Sequence, residues 1–141
     1  LNPIREEVAG KRVMIIDDSI VRGTTSGQIV KLLRDAGAIE VHMRISAPPF
    51  MNPCYYGTDI DSRENLIACH HSVDEIADII GADSLGFLPE EELRSLVGCD
   101  EYCHACFSGE YPTAIPVSTQ KDRFEAKLSD KDREPGTQDK R

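Results

Sequence analysis

The feature that most constrains this chain is an apolar run that stops at two acids and restarts as a helix. Arg12-Val-Met-Ile-Ile-Asp17 is short and rich in branched residues, which suits a parallel strand buried in a sheet. Asp18 follows, then a stretch of mainly small and polar residues from Ser19 to Ser26. Ile29, Leu32, Leu33 and Ala36 next recur at helical spacing, and Gly37 is the residue that most readily closes such a helix. Ile39 to Ile45 alternates in the manner of a second strand. Strand, helix and strand in this order make a βαβ unit with a right-handed crossover, so the fold class is α/β, a mostly parallel sheet flanked by helices.

Beyond Ser46 the pattern loosens. Pro48, Pro49 and Pro53 forbid regular structure around Phe50 to Cys54. Ser72-Val-Asp-Glu75 reads as a capping box opening a helix whose Val73, Ile76, Ala77 and Ile80 share a face. Ser84 to Leu88 reads as a short strand. Pro89 then begins a helix with Glu90, Glu91 and Glu92 at its positive end and a buried side of Leu93, Leu96 and Val97. Domain limits follow: residues 1–119 as one folded unit ending in a helical, cysteine-rich segment, and 120–141 as a mixed-charge tail expected to be disordered.

The acids and the helix start define a chemistry. Open α/β sheets place ligands at the carboxyl ends of their strands. Asp17 and Asp18 there can accept hydrogen bonds from a vicinal diol or hold Mg²⁺ through oxygen. Gly23-Thr24-Thr25 lets the backbone approach a ligand and opens a helix whose first N–H groups lack internal partners, a ready phosphate site. A diol grip beside a phosphate cradle describes a ribose 5-phosphate. A dinucleotide loop is excluded, because the Gly-x-Gly-x-x-Gly pattern is missing and two acids would repel a pyrophosphate.

The net charge of −9 argues against nucleic-acid binding, which needs basic patches, and no apolar run is long enough to span a membrane. Five cysteines stand at 54, 69, 99, 103 and 106. Without a secretory signal the cytoplasm is the expected compartment, and there clustered thiols favour a metal over disulfides. Cys103-His-Ala-Cys106 alone fits zinc, iron–sulfur or redox chemistry. Adding Cys99 gives the spacing of radical S-adenosylmethionine enzymes, but too near the chain's end for their barrel. Cys69 reads as a small buried hydrophobe, Cys99 as a neighbour of the thiol site, His42, His70 and His71 as locally satisfied or solvated, and His104 as shaping the C-x-x-C loop rather than binding metal.

The whole run Val13 to Thr25 resembles the signature of type I phosphoribosyltransferases. Pro53-Cys-Tyr-Tyr-Gly-Thr-Asp-Ile60 and Cys103-x-x-Cys106-Phe-x-Gly-x-Tyr-Pro112 resemble segments of cluster-bearing amidophosphoribosyltransferases. The resemblance runs from about Leu1 to Pro116. It implies that Asp17 and Asp18 take the ribose and magnesium, and that Ser19, Gly23, Thr24 and Thr25 take the 5-phosphate. Arg22 either joins them or positions the segment. It also implies a [4Fe–4S] cluster on Cys54, Cys103 and Cys106, with the fourth thiolate upstream. The substrate implied is phosphoribosyl pyrophosphate, with ammonia delivered from glutamine by an N-terminal glutaminase domain that this chain lacks. The enzyme is expected to be a homo-oligomer, to make phosphoribosylamine at the first committed step of purine synthesis, and to need more than these residues for activity. A nucleobase-salvage transferase would share Asp17 to Thr25 without needing the thiols. A phosphoribosyl-pyrophosphate-sensing regulator would want a basic DNA-binding partner, and a bare metal module would leave the loop unexplained.

Overall fold

The computed structural model describes residues 2–60, 62–98 and 102–115, so the expectations for Cys99 and for the tail lie outside the described residues. After a single helical turn, α1 (Arg5–Val8), the chain lays down β1 (Arg12–Asp17), α2 (Thr24–Asp35) and β2 (Glu40–Ile45). Two 3₁₀ turns, Arg63–Asn65 and Ile67–Cys69, lead to α3 (Val73–Ile80), β3 (Ser84–Phe87), α4 (Glu90–Val97) and the single turn α5 (Ala105–Ser108). The strands form one parallel sheet in the order β1-β2-β3. Its register sets Asp17, Ile45 and Phe87 abreast, so the first acid stands at the carboxyl edge of the sheet.

A main core forms where α2 and α3 cover one face of that sheet. Val41 and Met43 are fully buried there, with Ile45, Val30, Ile76 and Ile80 closing over them. The capping box expected at Ser72 is present: Ser72 Oγ accepts from the Glu75 N–H, and the Glu75 carboxylate accepts from the Ser72 N–H. That backbone bond, helped by the Ser72 hydroxyl, holds the Glu75 carboxyl below the usual range. Asp83 similarly accepts the Val41 N–H at 2.6 Å and the Arg34 guanidinium at 2.5 Å, which lowers its carboxyl and ties the end of α2 to the approach to β3. His42 is satisfied locally, between Ser84 Oγ and Glu40 Oε2.

Three expectations need correcting. β1 is not a fully buried strand: Val13 and Ile15 face the helices, but Met14 is 61% and Ile16 76% exposed on the other side. An apolar run shows that both faces can be buried, not that anything within the same segment covers both. Val73 lies at the outer end of α3 and is 39% exposed, while Ile76, Ala77 and Ile80 are buried as expected. On α4, Leu93 is half-buried but Leu96 is 73% exposed, so Leu96 does not belong to the buried side read from its spacing, and the Val97 side chain lies outside what is described.

A second, smaller core gathers the irregular segments. Phe50, Ile60 and Leu66 are its buried centre, and Val21, Cys54, Cys69, Cys106 and Phe107 pack against them. The cysteine-rich region is therefore not a separate unit. α5 is bound onto residues 50–56 by the Met51 and Asn52 N–H groups, both donating to the Cys106 carbonyl at 3.0 Å, and by stacking of Phe50 on Phe107.

Candidate functional site

The loop after β1 is shaped from beneath. Ile20 is 2% exposed and belongs to the main core, whereas its neighbour Val21 turns to the second core. The Val21 carbonyl accepts the Ile67 N–H at 2.9 Å. Gly23 then takes a left-handed conformation (φ 78°) as the residue before α2. A Cβ added there would come within 2.9 Å of Ile67 Cδ1, so both conformation and space call for glycine. No side chain caps α2. Its first-turn N–H groups thus remain available to an anion, at the positive end of a twelve-residue helix.

The acids stand opposite. Asp17 Oδ1 accepts the Asp18 N–H at 3.0 Å, and Asp18 Oδ2 accepts the Ser19 hydroxyl at 3.3 Å. These bonds orient the pair while leaving one oxygen of each carboxylate without a hydrogen bond among the described residues. The Asp17 carbonyl is pinned by the Ser46 N–H and hydroxyl, which fixes the strand tip. Asp17, Asp18, Ser19, Arg22, Gly23, Thr24 and Thr25, every loop residue singled out from the sequence, line one open cleft of about 830 Å³.

Asp59 also lines that cleft, and the sequence reading missed its place there. It lies in the segment whose cysteine had drawn attention. The available signal was the buried Ile60 beside it, an anchor that turns its neighbour outward.

The thiols are brought together less completely. Cys54 and Cys106 are half-buried against the second core, whereas Cys103 is exposed. Burial pushes the Cys106 thiol up, and so do the nearby Cys54 and, less strongly, Cys103. The Tyr56 N–H points at Cys54 Sγ at 3.4 Å, as a donor to a thiolate would. No disulfide joins these residues, and no three His, Cys, Asp or Glu side chains among the described residues converge tightly enough to hold a metal ion. The donor set fits a thiolate-bound group in kind, without a closed cage. Cys69 is half-buried as a packing residue and donates its S–H to the Met51 carbonyl. His104 Nδ1 lies 3.4 Å from Glu90 Oε1, close enough for a charge contact but lacking hydrogen-bond geometry.

A parallel sheet flanked by helices, with an acid pair at a strand tip and an open helix start after it, defines a domain of the type I phosphoribosyltransferase kind. Comparison with known proteins narrows this. The chain is 54% identical over 128 residues to the amidophosphoribosyltransferase of Synechococcus elongatus, covering 88% of itself and 26% of that protein. It is 57% identical over 114 residues to a chloroplastic amidophosphoribosyltransferase of Glycine max, covering 79% of itself and 20% of that protein. Among solved structures, glutamine phosphoribosylpyrophosphate amidotransferase from B. subtilis, complexed with ADP and GMP, superposes with a TM-score of 0.76. That match is at 52% identity and covers 84% of this chain and 27% of that one. No family model matches the chain. By these likenesses the domain is similar to one part of amidophosphoribosyltransferases, and it spans about a quarter of the length of the relatives it matches.

Proposed function

We propose that these residues form the sugar-phosphate grip of a glutamine-dependent amidophosphoribosyltransferase, the enzyme that converts phosphoribosyl pyrophosphate and ammonia to 5-phosphoribosylamine. The observation that carries the reading is the meeting of the acid pair and the uncapped start of α2 on one cleft. The N–H groups from Gly23 to Thr25 and the hydroxyls of Ser19, Thr24 and Thr25 hold the 5-phosphate, and Arg22 lies beside them. Asp17 and Asp18 take the ribose hydroxyls, and Asp59 joins them from the second core. The bond from the anomeric carbon to pyrophosphate breaks, a bond to ammonia nitrogen forms, and the surplus proton leaves the new amine. The acids act as positioners, not as nucleophiles: binding energy collected at the remote phosphate fixes the sugar for attack. Mg²⁺ on Asp17 and Asp18 would supply neutralisation of charge on the departing pyrophosphate.

Cys54, Cys103 and Cys106 would hold a [4Fe–4S] cluster with a fourth thiolate from outside these residues, where it would supply a structural cross-link. The packing of Cys54 and Cys106 against the same small core and the N–H aimed at Cys54 support this. Ammonia would come from a glutaminase domain of the same polypeptide, in a cytoplasmic homo-oligomer, and these residues alone would be inert. No helix among the described residues is long and apolar enough to cross a membrane. The test is calorimetry and kinetics on the full-length protein with magnesium. Wild type should bind phosphoribosyl pyrophosphate, and Asp18→Ala should lower kcat/KM by about a hundredfold, or ~2.7 kcal/mol of transition-state stabilisation. Unchanged kinetics in Asp18→Ala would refute the assignment.

A further inference from the structure

Two pairs of consecutive residues straddle the two cores. Ile20 enters the main core while Val21 packs against the second; Leu66 is fully buried in the second while Ile67 enters the main core. The pairs are joined by the hydrogen bond from the Ile67 N–H to the Val21 carbonyl at 2.9 Å. The Ile67 carbonyl accepts from the His70 and His71 N–H groups, so its own backbone is held firmly. Its side chain ends directly beneath Gly23, where even one added carbon would lie 2.9 Å from Cδ1.

We propose that Ile67 is a positioning residue for the phosphate loop: its N–H and its δ-methyl set the height at which Gly23 and the first amides of α2 meet the anion. The inference deepens the sugar-phosphate reading above and rests on it. The loop itself contributes no capping side chain at Gly23. Ile67 touches the loop at this point through both backbone and side chain. An alternating anchor of this kind resists both ways a loop can fail. Val21 and Leu66 oppose sliding along the sheet edge, and Ile67 opposes sinking into the main core. The ligand sees only the result, amides held in place before it arrives, which is where preorganisation lowers the cost of binding.

The experiment compares two identical methylene deletions in the full-length protein with magnesium. Ile76 is at least as deeply buried in the main core, but it neither lines the cleft nor stands among the atoms beneath Gly23. Ile67→Val should raise KM for phosphoribosyl pyrophosphate by about three- to tenfold with kcat within about twofold, whereas Ile76→Val should lower thermal stability similarly and leave KM unchanged. A second measurement uses Gly23→Ala, which should weaken binding through both its left-handed backbone and the clash beneath it, of which shortening Ile67 relieves the clash alone. If the δ-methyl sets the loop's height, adding Ile67→Val removes the atom in the way and restores binding at least about fivefold, a coupling that independent core losses would not produce. Equal KM values for Ile67→Val and Ile76→Val, or losses that simply multiply in the Gly23→Ala, Ile67→Val pair, would overturn the proposal. Failure of wild type to bind phosphoribosyl pyrophosphate at all would instead fell the functional reading beneath it.

Discussion

The main core and the second core reach similar burial by different means. Met43 and Val41 are buried because a strand alternates and two helices present apolar stripes to it, so each contact follows from a local period. Leu66 and Phe50 are buried with no period to guide them. Their segments are held by individual bonds: the Cys106 carbonyl to two N–H groups, and the Tyr111 hydroxyl to the Pro53 carbonyl at 2.7 Å. The Asn52 amide, oriented to satisfy both ends, adds bonds to Met51 and Gly109. The first arrangement builds a platform. The second holds functional groups at set places, at the cost of depending on many separate contacts.

This contrast can be broken by mutation. Met43→Ala should be the most damaging, costing about 2–5 kcal/mol by leaving a cavity under the sheet, and chemical denaturation should show one cooperative loss of the whole domain. Leu66→Ala should cost about 2–4 kcal/mol, and unlike Met43→Ala it should weaken phosphoribosyl pyrophosphate binding in protein that is still folded. If the two variants lose stability and binding in the same proportion, the two cores are one. Tyr111→Phe removes a single hydroxyl and should cost about 1 kcal/mol. It should speed alkylation of Cys54 and Cys106 while amide exchange in β2 stays slow.

The smallest effect is one of pH, and its sign differs between the cores. Glu75 and Asp83 beside the main core have lowered carboxyl pKa values, so they stabilise above the unfolded value of about 4, and that support is lost as pH falls through their folded values. Tyr111, whose hydroxyl is bonded to the Pro53 carbonyl beside the second core, is pushed up to about 12 by burial and by neighbouring Tyr55. Its contribution is whole below the unfolded value of about 10 and is lost as pH rises towards 12. Acid should therefore loosen the helices first and alkali the thiol segment first, as read by exchange at α3 and by thiol reactivity.

Legibility in the sequence divides along the same line. β1, the loop, α2 and the capping box of α3 could be read because each is specified within a dozen neighbouring residues. The acid pair and Gly23 were legible for the same reason. The bonding of residues 50–56 onto α5 was not, because it joins segments some fifty positions apart through single hydrogen bonds. Asp59 was overlooked as a cleft residue on that account. Leu96 and Ile16 mark a different limit: a spacing identifies an apolar face but does not say what covers it.

Ile16 and Met14 carry a practical consequence. β1 ends the sheet of described strands, and its outward side chains are oily. A bare parallel ribbon of this sort is adhesive, since its open amides and carbonyls template whatever strand passes. Produced in isolation, these residues would be prone to clump, and the solubility of a purified sample would report directly on whether that seam has been closed.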